Sequence, residues 1–456
     1  RATLPDGRVV AMKVQYPGVA ASIDADVDNV ATLLRLSGLL PETLDVAPLL
    51  AEGARRLAAG ERPQLSDMLL TPGNALRLTE QLSRLRGAAM KLGQMISLDA
   101  GDLLPAELTA ILARLRDSAH YLPPSQLNQV LIGEWGKDWR RRFARFEATP
   151  IAAASIGQVH RATLPDGRVV AMKVQYPGVA ASIDADVDNV ATLLRLSTLL
   201  PDTLDIAPLL AEAKQQLREE ADYLREAEQM RRYGALLAGN PAFVVPTPVE
   251  ELSGERVLVM DFIPGAPIDT LEGADQATRD AAMGALLGLV LRELFEFGFM
   301  QTDPNFANYR WQADTGRVVL LDFGAARPVP EATTAAYRRL MHAGLAEDPA
   351  ALKDALLEVG FVSPVTLERH APAFDAMIAV LIQHLGRPGL FEFADRSFVA
   401  EVRRSVETVA ADRAAWHIPP AETLFVQRKV SGTALLAVRR AARLPLRDMV
   451  AEAVGA

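Results

Sequence analysis

Apolar and polar residues alternate along two runs of this chain, RVVAMKVQ at 8–15 and again at 168–175, each just after a turn signal, LPDG. Period-two alternation bounded by Pro, Asp and Gly predicts a β-hairpin at both places, with a helix following from about Ile23 and Ile183. Between the two, from about Pro63 to Pro124, the period changes. LTEQLSRLRGAAMKLGQMISL repeats apolar residues at i, i+3, i+4 and i+7, and Pro123 and Pro124 break the run. Residues 143–175 return to strand-like alternation. Helices are expected over about 181–199 and 206–236, strands at VVPTPVEEL and ERVLVMDFI, and a turn at PGAPID. A long helix over about 276–298 and a short strand in RVVLLDFG follow, and everything after Pro330 reads as helical. A helical extension, a small sheet with helices and a mostly helical half make an α+β plan with two lobes.

Residues 1–37 and 161–197 are identical, and the match drifts only lightly to Glu52 and Glu212. Solenoid repeats recur several times and diverge; a single near-perfect copy reads as a recent partial duplication or an error in assembling the gene sequence. A lone hairpin is marginal, and the first copy's surroundings offer no host sheet. At 456 residues the chain has room for two or three domains. It has no cysteine, which removes disulfide and thiolate chemistry, and its six histidines show no metal-ligand spacing. A net charge of -9 argues against a nucleic-acid partner. The most apolar window, 281–300, carries Arg292, Glu293 and Glu296, so it is expected as a buried helix, not a membrane span. With no secretory leader legible, the expected location is cytoplasmic, with at most peripheral contact with the inner face of a membrane.

Two loops place chemistry at a kinase-like spacing. QTDPNFANY (301–309) sets Asp303 five residues before Asn308, and LLDFGAAR (320–327) sets Asp322 fourteen further on, at a strand end. Phosphoryl transfer needs the nucleotide's charge offset by magnesium on hard oxygen ligands, and a base to orient or deprotonate the attacking hydroxyl. Asn308 and Asp322 are expected as metal ligands and Asp303 as the base. Upstream, PIAAASIGQVH (150–160) overlays a GxGxxGxV phosphate loop, with Ala152 and Ala154 in the first two glycine places and Gly157 and Val159 in theirs. Ala153 and Ser155 complete this expected nucleotide-binding loop, which alanine makes stiffer because it resists positive φ. Lys173 follows Val159 by fourteen residues, where a kinase lysine holds the phosphates. Carboxylates for it stand in QQLREEADYLREAEQM (215–230). Asp222 and Glu226 share one face of a continuous helix, Glu220 lies about 120° away, and Glu219 and Glu228 read as solvated. Lys13, in the first copy, has no such loop before it, and its copy stops short of the acidic helix. Lys173 is the expected active lysine.

Taken in order, these stretches resemble the UbiB/AarF/ADCK atypical kinases, the kinase-like proteins of ubiquinone biosynthesis. AAMKLGQMISLDAGDLLP (88–105) is similar to that family's KxGQ signature, with Lys91, Gly93 and Gln94. AAASIGQVH is similar to its alanine-rich loop. REEADYLREAE (218–228) resembles its ExD motif, with Glu220 and Asp222, then Glu226 where the family's lysine-pairing Glu falls. The loops of Asp303, Asn308 and Asp322 match its catalytic and metal loops. The resemblance covers roughly residues 55–456.

The resemblance implies a two-lobed protein-kinase-like fold with an N-terminal helical extension over the active site. The helices carrying Lys91, Gly93 and Gln94 would act as a gate, with Lys91 facing Glu220 or Asp222, suppressing peptide phosphorylation in favour of ATP hydrolysis or transfer to a small or lipid-like acceptor. It implies ATP or ADP with Mg2+, a lipid or quinone intermediate, quinone-biosynthesis proteins as partners and a peripheral membrane surface. The expected divisions are the partial duplicate 1–53, the extension 54–148, an N-lobe 149–262 and a helical C-lobe 263–456. The basic stretch 429–450, with Arg439, Arg440, Arg443 and Arg447, suits either an anionic membrane surface or a basic outer face over a packed core. Two other readings share features: a non-catalytic, nucleotide-gated scaffold of a lipid-biosynthetic complex, and an antibiotic-type kinase. The latter does not account for the alanine loop and KLGQ.

Overall fold

A computed structural model describes residues 2–3, 9–10, 122–154, 156–196, 207–410, 412, 417 and 419–456. Of the expected extension 54–148, residues 54–121, with Lys91, Gly93 and Gln94, lie outside the described residues, as do Lys13 and Ser155. Of the first copy, Ala2–Thr3 and Val9–Val10 form a short antiparallel pair. It sets Ala2 against Val10, the same register as Ala162 against Val170 in the second copy.

After helix α1 (Pro124–Trp135) comes an antiparallel sheet of β1 (Arg145–Phe146), β2 (Ala152–Ala154), β3 (Gly157–Thr163) and β4 (Val169–Gln175). Its fifth strand is β6 (Val257–Asp261), and the order is β1-β3-β4-β6 with β2 also on β3. The β3–β4 turn is built as its residues dictate. Gly167 sits at φ +89°, where other residues are strained, and Asp166 Oδ1 accepts from Arg168 N at 2.9 Å. Val170, Met172 and Val174 are buried on the sheet face opposite Lys173, with Gln158 and His160, where α1 packs. Helices α2 (Val179–Leu196), α3 (Ala207–Ala221) and α4 (Tyr223–Leu236) follow β4 in the chain. The alanine-rich segment is not an open loop: Ala152, Ala153 and Ala154 pair with Val159, Gln158 and Gly157 as a tight hairpin.

A second, smaller sheet runs β5 (Phe243–Val244), β10 (Arg317–Leu320), β9 (Tyr309–Gln312) and β7 (Ala266–Pro267), with β5 parallel to β10. Of VVPTPVEEL (244–252) only Val244 lies in a strand, β5; Pro248 makes an isolated bridge to Met260, and a 3-10 turn covers Glu250–Leu252. The long helix α5 (Gln276–Arg292) is capped by Asp275, whose carboxylate accepts from Thr278 N at 2.8 Å. It ends in a π-turn at Glu293–Phe297 and Gly298, six residues short of the continuous helix expected to 298. Strand β8 (Phe299–Gln301) pairs with β11 (Ala326–Pro328). Beyond Pro330 the chain is mostly helical: α6 (Glu331–Leu345), α7 (Pro349–Val359), α8 (Pro364–Arg369), α9 (Ala371–Leu385), α10 (Val399–Ala410), α11 (Ala421–Arg439) and α12 (Leu446–Val454). The exception is a short strand pair, β12 (Phe391–Glu392) with β13 (Arg443–Leu444). No described helix is long and apolar enough to cross a membrane.

Candidate active site

Residues 207–236 form two helices, not one, and the break sets up the site. Asp222 leaves the helical conformation and caps α4, its Oδ1 accepting from Arg225 N at 2.9 Å. Asp222 and Glu226 therefore do not share a helix face, because the helix expected through both breaks at Asp222. Instead Glu220, at the end of α3, and Tyr223 and Glu226, on the first turns of α4, line one cleft. Glu219 is not solvated either. It is mostly buried and accepts from Arg327 Nη2 at 2.8 Å, while Arg327 Nη1 donates to Glu212 at 2.5 Å. This buried triad clamps α3 to the strand after DFG. Glu228 behaves as expected, pairing on the surface with Arg231.

At the centre is Lys173. Strand pairing puts it opposite Val159 on β3 and Leu258 on β6. Its Nζ donates to both oxygens of Glu226, at 2.6 and 2.9 Å, and to Asp322 Oδ2 at 3.2 Å. Burial alone would lower the Lys173 pKa, but the Asp322 and Glu226 carboxylates outweigh it and hold the ammonium above the usual lysine value. Burial raises Glu226, against the pull of Lys173. Backbone amides finish the arrangement: Phe323 N donates to Glu226 Oε1 at 3.3 Å and Gly324 N to Asp322 Oδ1 at 3.1 Å. Arg225 donates to the carbonyls of Gly324 and Ala326, at 2.6 and 2.5 Å, and so ties α4 to the DFG loop.

The cavity enclosed by these groups holds only about 10 Å³, room for about one water. Glu220 closes it from above, its backbone in contact range of Gly324. Beside it, Gly157 starts β3: a Cβ there would sit 2.3 Å from the Val174 carbonyl oxygen, so only glycine lets β3 begin this close to β4. A triphosphate enters only if the alanine hairpin or the Glu220 end of α3 moves. A roomier cavity of about 520 Å³ lies at the far end of α4, lined by Leu237, Phe243 and Val245 among others. Its one charged residue, Arg317, already donates to the Phe243 carbonyl, so the clustered chemistry sits in the smaller cleft.

Asp303 and Asn308 do not line the cleft but flank it. Asn308 Nδ2 donates to Asp303 Oδ2 at 3.4 Å, and the Asn308 carbonyl accepts from Leu321 N at 3.0 Å, next to Asp322. Thr302 donates twice, from N and Oγ1, to the Ala325 carbonyl at 3.3 and 2.9 Å. The two loops are thus held side by side by backbone pairing. Among the described residues no three His, Cys, Asp or Glu side chains gather into a metal cluster. The hard oxygens of Asn308 and Asp322 fit magnesium, which keeps several ligand places for waters and phosphate.

Behind the loop of Asp303 and Asn308 lies a buried network that sequence reasoning missed. Lys429, on α11, is 2% exposed; its Nζ donates to Tyr309 Oη at 2.9 Å and Gln301 Oε1 at 3.2 Å, and stands 3.8 Å from Glu293 Oε2. Glu293 in turn accepts from Tyr233 Oη on α4 at 2.8 Å. Gly432, one turn on, is jammed against Pro304: a Cβ would lie 2.3 Å from that of the proline. Within the basic stretch 429–450, Arg440 is buried on Asp269, and half-buried Arg447 holds Glu347 and the Gly386 carbonyl. Arg443 is exposed, its backbone N donating to Asp280 and its guanidinium to Gln276, and exposed Arg439 lies over the Phe306 ring. The stretch thus has a packed inner side and a basic outer one.

The ABC1 atypical kinase-like domain matches residues 1–60 and 114–356. The chain belongs to this family. It is the UbiB/AarF/ADCK family of the sequence resemblance, and its fold is kinase-like. The ABC1 match includes the duplicated segment and passes over 61–113, where Lys91, Gly93 and Gln94 lie. The chain is 37% identical over 408 residues to the atypical kinase COQ8B, mitochondrial, of Danio rerio, covering 88% of this chain and 64% of that protein. It is 35% identical over 399 residues to the atypical kinase COQ8, mitochondrial, of Saccharomyces cerevisiae, covering 86% and 78%. Among solved structures it is similar to Rv3197 in its erythromycin complex, from Mycobacterium tuberculosis. That likeness has a TM-score of 0.57 and 26% identity, over 83% of this chain and 95% of that one.

Proposed function

We propose that this ABC1 chain binds Mg–ATP in the cleft of Lys173 and couples its hydrolysis, or transfer of its phosphoryl group, to the biosynthesis or handling of ubiquinone or a related isoprenoid lipid. The observation that carries the reading is the buried Lys173–Glu226 pair with Asp322 at 3.2 Å. Such a pair is costly to desolvate and weak as a stabilising device, so its retention at a cleft beside a D-x4-N loop points to use. In this reading Lys173, oriented by Glu226, neutralises phosphate charge, while the Ala152–Ala154 hairpin with Gly157 and Val159 covers the phosphates. Magnesium, held by Asn308 and Asp322, would supply charge neutralisation on the phosphate oxygens. Asp303 orients the attacking hydroxyl or water and takes its proton. Glu220 and Asp222, with Lys91, Gly93 and Gln94 of the extension, gate entry.

The closed cleft of about 10 Å³ is the observation that favours the second reading, a nucleotide-gated scaffold without turnover. The experiment that separates them is magnesium-dependent ATP turnover by the purified chain, with and without quinone-containing lipid vesicles, beside Asp322→Asn. Turnover lost in the variant supports the enzyme. Binding without turnover under any condition supports the scaffold.

A further inference from the structure

Besides Tyr176, four tyrosines are buried among the described residues, and the hydroxyls of three have partners. Tyr233 donates to Glu293, Tyr309 bonds Lys429, and Tyr337 donates to the Thr423 carbonyl. The fourth, Tyr223, is 0% exposed, and its Oη has no hydrogen-bond partner. A buried hydroxyl left unmade is costly, and phenylalanine would avoid the cost at the same volume. Such exceptions call for a reason.

The position of Tyr223 supplies one. It is the first residue of α4, three before Glu226, so both side chains point from one helix face into the catalytic cleft. Lys173 Nζ lies 5.7 Å from the centre of its ring. Its Oη abuts the end of the alanine hairpin, 3.0 Å from where a Cβ on Gly157 would stand. The hydroxyl is therefore placed between the phosphate-covering hairpin and the phosphate-holding lysine. Burial, with the nearby carboxylates and against the pull of Lys173, holds the phenol well above its usual pKa, so it keeps its proton to donate. The cleft already holds Lys173 against the carboxylates of Glu220, Glu226 and Asp322. A neutral donor is what such a site adds for an incoming anion.

Resting on the reading of this cleft as a nucleotide site, we propose that Tyr223 Oη is a phosphate-binding group, donating its hydrogen bond to a phosphate oxygen of the nucleotide held by Lys173. The test is Tyr223→Phe in the full chain, read by calorimetric titration with ADP and with adenosine, and by melting temperature without ligand. The ligand-free variant is expected to melt at or above the wild-type temperature. Its ADP affinity is expected to fall by about ten- to a hundredfold, since the lost bond is to a charged acceptor, with adenosine affinity unchanged. A merely structural role would move the first quantity down. Unchanged ADP affinity overturns the proposal, and so does tighter ADP binding, which would make the hydroxyl a plug. A variant that melts lower or fails to fold also overturns it, because the hydroxyl would then have a partner in the folded chain. Wild-type protein that binds no ADP at all instead removes the nucleotide reading itself, and this proposal with it.

Discussion

Lys429→Met tests the network behind the loop of Asp303 and Asn308. The substitution keeps most of the side-chain volume and removes one charge from a site where Lys429 is 2% and Glu293 0% exposed. Glu293 would be left buried without its cation, and breaking such a pair from one side costs about 3–5 kcal/mol. That is a large share of the 5–15 kcal/mol or so that holds a typical domain together. Removing both charges in Lys429→Met/Glu293→Gln should return the loss to within about 1.5 kcal/mol of wild type, because a neutral amide of the same shape leaves no uncompensated buried charge and can still accept from Tyr233. The single variant's defect should also depend on pH. Burial already raises the Glu293 pKa and Lys429 pulls it down; without the lysine it rises further. A carboxylate whose folded pKa is raised stabilises below its unfolded value and loses that contribution as pH climbs through the folded one, so the defect grows with pH. Urea unfolding followed by tryptophan fluorescence, compared at equal slope, measures all three. A single variant within about 1 kcal/mol of wild type, or a double variant no better than the single, would refute the buried pair.

Other consequences are equally specific. Gly432→Ala drives a Cβ to 2.3 Å from Pro304; with overpacking costing about 1–3 kcal/mol, the catalytic loop should shift. ATP turnover is then expected to fall further than nucleotide affinity, as a comparison of steady-state rates with calorimetric Kd would reveal. His160 is buried, with Nδ1 toward the Glu147 carbonyl at 2.9 Å and Nε2 toward the Gln158 side chain at 2.7 Å, and burial lowers its pKa despite the Glu147 bond. A lowered histidine leaves stability intact above its unfolded pKa, near 6.5, and loses it as pH falls below that value. His160→Asn should therefore flatten the acid side of the stability–pH curve, and an unchanged slope would count against it.

The cleft was legible because its signals are local. Lys173 ends an alternating strand, Asp322 ends another, and D-x4-N is a fixed spacing, so periodicity and motif place them without tertiary information. The two-lobe order followed from the change of period at Pro124 and Pro330. The break at Asp222 was hidden in a run of good helix formers, although an aspartate followed by an apolar face is an N-cap signal that could have flagged it. Glu219 looked solvated because its partner, Arg327, is 108 residues away. Lys429, Glu293 and Tyr309 meet only when α11 packs behind β9, and no spacing encodes that. The alanine segment's pairing with Gln158 and Val159 agrees with the strand-like alternation read over 143–175, but its register, with the turn at Ala154–Gly157, is set by no spacing in the sequence.

The most direct measurement is the stoichiometry of magnesium–nucleotide binding by calorimetry, on wild type, Lys173→Ala and Lys13→Ala. One nucleotide per chain, lost in Lys173→Ala and untouched in Lys13→Ala, is the predicted result. Two nucleotides per chain, or binding that survives loss of Lys173 but not of Lys13, would contradict the assignment of the site.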